Sequence, residues 1–432
     1  MAKLNQTDEA WERLFEKYNI LEVIERDGVF IISAQQIKEY REARLMTKFD
    51  HKANLPNLFK NNDLSILPNS RGTYVIGKFN AYQQLVVDDK KPISVEIPYY
   101  IESFDNLSIT SESTALNVAH FTGMIDMVME TGNDEPNSVL KKKTLSGRMS
   151  SGEIQYQIKG EKNFSYDFNV NNSQIEIDGS YENLQKIALI EAKSKLPLDF
   201  HIRQLYYPYR VYSNLIQKKE IMPVFFTFAD DIFSFHIYKF NDLNDYNSIQ
   251  KVEQFSFILN TVLDLNINEV KKISCNSPQL HSTEGVPFPQ ANSMGRILSI
   301  LEYIKIPMNK NELAKICEFD IRQSDYYSNA LIYLGFAKRN EKSEFVHTQL
   351  GSKISKMANN NERNKIIIES ILKFKIFKKI FDSIIINGGE FDTEYIFKLV
   401  LVDGGNRISE STIRRRTSTV CAWMRWIFSV IE

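Results

Sequence analysis

SQIEIDGSYENLQKIALIEAK, residues 173–193, is the stretch on which the reading of this chain turns. Two runs rich in β-branched and apolar residues, SQIEI and KIALIEAK, flank a turn-forming GSYENLQ, so the segment reads as a strand, a short return and a second strand. In a strand, side chains two apart share a face. Glu191 and Lys193 therefore project together while Ala192 faces the opposite layer. Asp178 ends the first strand, and residues 179–185 are few enough to bring the second alongside it. Two carboxylates and an ammonium then converge at one end of a hairpin. Charged groups at the ends of apolar strands are costly unless paired or bound to a metal.

Such a constellation suits metal-assisted hydrolysis of a phosphodiester. Asp178 and Glu191 are hard oxygen ligands for Mg²⁺, which keeps several waters and bridges to substrate phosphate. A bound ion of this kind makes a hydroxide-like nucleophile available near neutral pH. Lys193 is placed to orient the attacking water or to stabilise charge building on phosphorus oxygens. No covalent nucleophile is needed, and the chain contains no GxSxG elbow, P-loop or HExxH motif.

The pattern of Ile177–Asp178 followed by Glu191–Ala192–Lys193 resembles the PD-(D/E)xK nuclease superfamily, with Ile177 where the family usually has Pro. The resemblance covers residues 113–240. It implies an α/β (α+β) fold with a mixed-sheet core: a helix before the sheet, a strand hairpin, and a helix directly after the Lys. In some branches that last helix adds a Gln to the site, and Gln204 stands at the matching place. An acidic residue from the preceding helix is a frequent further member, for which Asp126 and Glu130 are the candidates. His201 lies close enough in sequence to touch substrate, whereas His236, within FSFHIYKF, reads as a sheet residue.

Outward from this core, the 432 residues correspond to about three domains. Helical spacing of Trp11, Leu14, Phe15 and Tyr18, a strand at 28–33, a helix at 34–48 and short strands at 72–79 and 82–87 make 1–110 an α+β region without an assigned role. Residues 111–275 form the expected nuclease domain. A helix is expected over 113–132, strands at 153–160, 164–170, 173–179 and 186–193, a helix over 203–218 kinked near Pro208, and a hairpin, 222–229 with 232–240, turning at Asp230–Asp231. A Ser/Pro/Asn-rich linker spans 276–293. Residues 294–360 then give three helices and a hairpin-like stretch, the order of a winged helix, and 361–432 a second helical, winged-helix-like module.

Composition narrows the class. Hydrophobic residues at 43% and charged residues at 25% are ordinary globular usage, which excludes a disordered or collagen-like chain. No apolar run approaches a membrane span, the N-terminus does not read as a secretory signal, and Cys275, Cys317 and Cys421 are scattered, so a reducing cytoplasm is the expected compartment. The net charge of −1 hides an asymmetry: 22 Lys and Arg against 17 Asp and Glu after residue 275 make that part about +5, and the remainder about −6. A basic C-terminal part suits a polyanion.

Within it, Gln323, Ser324 and Tyr326 lie near the N-terminus of a helix, where a recognition helix presents side chains to the major groove. Arg414, Arg415 and Arg416, with Arg407 nearby, spread around a helix too widely to pair with one acidic face, which suits phosphate contact. Arg148, in a Gly/Ser-rich loop before the hairpin, is a further DNA-contact candidate. A nuclease core joined to winged-helix-like reading modules resembles a type II restriction endonuclease. The resemblance implies Mg²⁺-dependent, site-specific cutting of double-stranded DNA that leaves 5′-phosphates. It also implies a homodimer, at least while cleaving, a separate companion DNA methyltransferase, and no membrane partner. A DNA repair or recombination nuclease of the same fold and a non-enzymatic DNA-binding regulator are the alternatives.

Overall fold

The computed structural model describes residues 6–88, 90–98, 101, 109, 111–130, 142–160, 164–259, 265–281, 288–317, 319–357, 361–404 and 409–431. The chain divides into two compact units, one made of residues 1–86, 106–227 and 234–255, the other of 87–105, 228–233 and 256–432. Residues 1–86 and most of 106–255 belong to the first unit. The helix Ile267–Asn276, assigned from sequence to the nuclease domain, belongs to the second unit.

The first unit opens with the helices Gln6–Tyr18 and Ile20–Asp27, separated by Asn19 in the left-handed region at φ 50°. Trp11, Leu14 and Phe15 fall on one face by helical spacing and pack edge-on around Phe59, with the Trp11 and Phe59 rings 4.8 Å apart. Burying each such side chain contributes about 1.5–3 kcal/mol. The strands Val29–Ser33, Thr73–Gly77 and Ser65–Pro68 form an antiparallel sheet in that order. The sequence expects one helix over 34–48; two short ones, Ala34–Lys38 and Ala43–Thr47, occupy it, the first closed by a capping box between Ser33 and Gln36.

The larger sheet of this unit is mixed. Gly179–Glu182 pairs antiparallel with Lys186–Lys193, which pairs in parallel with Glu220–Ala229. The helix Arg203–Leu215 makes the crossover of the parallel pair, as such a pair requires. Lys186–Lys193 is buried from Ile187 to Ala192, which explains why IALI and MPVFFTF read as unbroken apolar runs: a strand covered on both faces has no polar side. Phe200 stacks on Phe225 at 4.4 Å. The expected helix over 113–132 is broken by Gly123 at φ 78° into Glu112–Phe121 and Met124–Met129.

In the second unit, the helices Met294–Tyr303, Lys310–Cys317 and Ile321–Leu334 are followed by the strand pair Ala337–Arg339 and Phe345–His347. Met308 bridges Phe345 as a short third strand. Asp320 caps the third helix through the Gln323 N–H, and Gly335 closes it at φ 86°. Five further helices among the described residues follow: Gln349–Ile354, Asn361–Leu372, Lys375–Ile386, Thr393–Gly404 and Glu410–Ser429. Trp423 anchors them, stacked on Phe377 at 5.3 Å and donating to the Ala291 carbonyl at 2.8 Å. Buried Asp230 pairs with buried Arg363. Among the described residues no helix is long and apolar enough to cross a membrane.

Candidate active site

Asp178 sits at a joint. The strand Gln174–Ile177 pairs with Gly147–Ser150, whereas Gly179–Glu182 pairs with Lys186–Lys193, so the chain changes partners at this one residue. The Asp178 N–H donates to the Ile190 carbonyl at 3.2 Å, and Asp178 Oδ2 accepts the Ala192 N–H at 2.8 Å. The carboxylate is thereby fixed beside Glu191. Glu191 Oε1 in turn accepts from Lys193 Nζ and from Gln204 Nε2, both at 2.6 Å. Gln204 comes from the first turn of the helix Arg203–Leu215, which follows the strand not directly, as expected from sequence, but after a further short strand, Asp199–His201. The structure thus brings Asp178, Glu191, Lys193 and Gln204 onto one cleft.

The cleft has further walls that the motif does not announce. Lys48, Asp50, Glu112, Glu176 and Arg203 line it together with Ile175, Tyr207 and Pro208. Glu112, at the start of the helix Glu112–Phe121, accepts the Ser194 N–H at 3.2 Å. It takes the place expected of Asp126 or Glu130, neither of which lines the cleft, because the break at Gly123 carries the later turn away. Asp50 is reached from the N-terminal region. The segment 46–52 is pinned there: Trp11 donates to the Met46 carbonyl at 3.1 Å, Tyr82 to the Phe49 carbonyl at 2.8 Å and the His201 N–H to the Asp50 carbonyl at 2.9 Å.

Burial sets the protonation states. It pushes Glu191 up to about 7, with Lys193 pulling the other way and Asp178 adding to the rise. It also raises Asp178, against the Ala192 N–H and Lys193. Burial works to lower Lys193, yet Glu191 and Asp50 prevail and hold it above its ordinary value. Burial works to raise Asp50, but Lys193, Arg203 and Lys48 prevail and keep it below the usual carboxylate range. Five carboxylates and three cations line the cleft. Fully ionised, they leave an excess of two negative charges, the charge that one divalent cation cancels. Among the described residues no group of three acidic, His or Cys side chains is arranged to hold a metal ion. The donor set fits an ion such as Mg²⁺, which takes one or two carboxylates and keeps waters for the rest.

The other expected positions separate into kinds. Arg148 lies on the strand Gly147–Ser150, not in a loop, and pairs with the cleft residue Glu176 at 3.1 Å. His201 is buried and absent from the cleft; its ring packs on Tyr82 at 4.9 Å and its Nδ1 meets the Tyr246 hydroxyl at 3.2 Å. Burial pushes it down to about 3, so it stays neutral. His236 is a fully buried sheet residue.

Ser324 is fully buried and donates to the Lys310 carbonyl at 3.1 Å, which removes it from any DNA-facing set. Gln323 and Tyr326 remain half-exposed on the same helix. Exposed Arg322, not singled out from sequence, donates to Tyr326 Oη at 2.7 Å. Arg414 and Arg415 are exposed on the helix Glu410–Ser429, Arg414 pairing with Glu410 at 2.6 Å. Arg416 turns inward over the Phe288 ring at 5.3 Å, so the three arginines do not present one phosphate-binding face. Arg407 lies outside the described residues.

Three family models match the chain, and each is described as a domain of unknown function. They are DUF6996 over residues 8–76, DUF6997 over 77–258 and DUF7226 over 296–432. No curated protein and no solved structure matches. The cleft draws on two of these domains: Lys48 and Asp50 come from the first, and Asp178, Glu191, Lys193, Arg203 and Gln204 from the second.

Proposed function

We propose that this chain is a type II restriction endonuclease: a Mg²⁺-dependent, site-specific hydrolase of phosphodiester bonds in double-stranded DNA that leaves 5′-phosphates. The observation that carries the reading is the hydrogen-bonded set of Asp178, Glu191, Lys193 and Gln204 on one cleft. A structural salt bridge on a sheet edge needs neither the second carboxylate nor a Gln held to the first. The mixed sheet with its helical crossover supports the finer reading of a PD-(D/E)xK core, and the three helices with a bridged strand pair support a winged-helix-like reading module.

In this mechanism Asp178 and Glu191 would hold the ion. When bound, Mg²⁺ supplies an acidified water and shields charge on the phosphate. The chain's own groups do the positioning. The Ala192 N–H keeps Asp178 in one rotamer, Gln204 keeps Glu191 in another, and Lys193 Nζ orients the attacking water and faces the developing negative charge. Cutting both strands calls for two chains, so a homodimer is expected during cleavage. Self-protection calls for a companion DNA methyltransferase as a separate protein.

The test is incubation of plasmid DNA with the protein in Mg²⁺, beside Lys193→Ala and an EDTA control. Discrete fragments from the wild type alone support the reading. A smear means a general nuclease of the same chemistry. Equal cutting by both proteins refutes the assignment of Lys193, and retained DNA binding without cutting leaves a regulator.

A further inference from the structure

Lys48 and Arg203 reach the cleft from different parts of the chain, and Asp50 stands between them. Lys48 Nζ is 3.8 Å from Asp50 Oδ2, and Arg203 Nη2 is 3.9 Å from Asp50 Oδ1. Both separations exceed hydrogen-bond length, so one carboxylate holds two cations loosely and neither is saturated. Arg203 Nε and Asp50 Oδ1 are buried without a hydrogen-bond partner among the described residues. A guanidinium has five donors in a planar fork, and a buried donor left unmade costs about as much as a lost hydrogen bond. The arrangement is nevertheless rigid. The hydrogen bonds from Trp11, Tyr82 and His201 fix the backbone on either side of Lys48, and Lys52 N–H donates to Asp199 Oδ1 at 3.0 Å. Arg203 is fixed by the first turn of its helix, one residue before Gln204. Two donors are thus held ready beside the carboxylates, and the Asp50 carboxylate that they share sits at a distance that makes release inexpensive.

We infer that Lys48 and Arg203 form a clamp for a backbone phosphate of the substrate strand, with Asp50 holding both cations in place until the phosphate arrives. This inference rests on the nuclease reading of the cleft and names residues outside its motif. Lys48 approaches as a point charge from the half-exposed rim, and Arg203 offers its fork from deeper in the wall. Because the two share one phosphate, they act on binding of the strand, whereas Asp178, Glu191 and Lys193 act on its hydrolysis.

The experiment measures binding of a short labelled duplex of mixed sequence in Ca²⁺, across a salt series, for the full-length wild type, Lys48→Ala, Arg203→Lys and Lys48→Ala with Arg203→Ala. The double variant is expected to bind roughly tenfold more weakly, with a salt slope smaller by about one. Arg203→Lys is expected to recover part of the loss, which a merely structural role would not produce. Lys48 is half-exposed, so Lys48→Ala reports even if the Arg203 variants fail to fold. Wild-type affinity and slope in Lys48→Ala and in the folded double variant overturn the clamp and leave the nuclease reading standing. A wild type that binds duplex but never cuts it in Mg²⁺ overturns the nuclease reading alone, and the clamp is then judged on the binding data. A wild type that binds no duplex overturns both.

Discussion

Metal binding at this cleft should depend steeply on pH, in a direction that Glu191 dictates. Its carboxyl is pushed up to about 7 by burial, and a divalent ion takes only the ionised form. The group is therefore about nine-tenths protonated at pH 6 and about one-tenth at pH 8. Binding must displace that proton. The apparent affinity should fall about tenfold from pH 8 to pH 6, about 1.4 kcal/mol, with close to one proton released per ion at the lower pH. Titration calorimetry with Mg²⁺ or Ca²⁺, run in two buffers of different ionisation enthalpy, reads both quantities. Glu191→Gln should abolish the pH dependence along with most of the affinity. Lys193→Ala removes the charge that pulls Glu191 down, so the midpoint should move to higher pH. An affinity that stays constant between pH 6 and pH 8, or rises toward acid, would refute the placement of the metal on a buried Glu191.

Three further outcomes are expected. In the metal-free protein the native state keeps a proton on Glu191 that the unfolded chain has already released, so the stability this group contributes is complete below its ordinary range. It is lost as pH rises through about 7, so the thermal midpoint should be lower at pH 8 than at pH 5. Trp11→Ala should cost the first unit about 3–5 kcal/mol by emptying the cluster with Phe15 and Phe59, and should weaken DNA binding as well, because the Trp11 indole tethers the segment that carries Lys48; urea unfolding and binding assays check each part. Gly351→Ala should destabilise the second unit, since an added methyl would run into the Phe336 carbonyl, and calorimetry should find ion binding at the cleft unchanged.

The parts of the site that were legible are those written locally. Glu191 and Lys193 follow from alternation along one strand, Asp178 from the length of the return, and Gln204 from the resemblance to the PD-(D/E)xK pattern alone. The strand Lys186–Lys193 has the same ends in sequence and structure. Lys48 and Asp50 were not legible: they lie far from the motif, between two short helices, and only the docking of the N-terminal region brings them to it. Glu112 was missed because Gly123, which splits the helix, looks like any helical glycine in a pattern. Ser324 was misjudged for a different reason. At 100° per residue, neighbours on a helix differ in environment, and Ser324 falls on the face that packs against the Lys310 carbonyl while Gln323 does not. The strand Ile249–Leu259 carries Lys251 and Glu253 in its first half and gave no continuous apolar signal.

The dispersal of the cleft along the chain bears on how the protein is made. Its walls draw on residues as far apart as Lys48, Glu112, Asp178 and Pro208, and the sheet beneath them needs the strand Glu220–Ala229 as well. A growing chain that has exposed Asp178, Glu191 and Lys193 still lacks the parallel partner strand Glu220–Ala229 that holds Glu191 in register. The cleft is therefore complete only after the most distant of these segments have met. On the nuclease reading proposed above, long-range assembly would act as a built-in delay, holding back cutting until segments far apart in the chain have met.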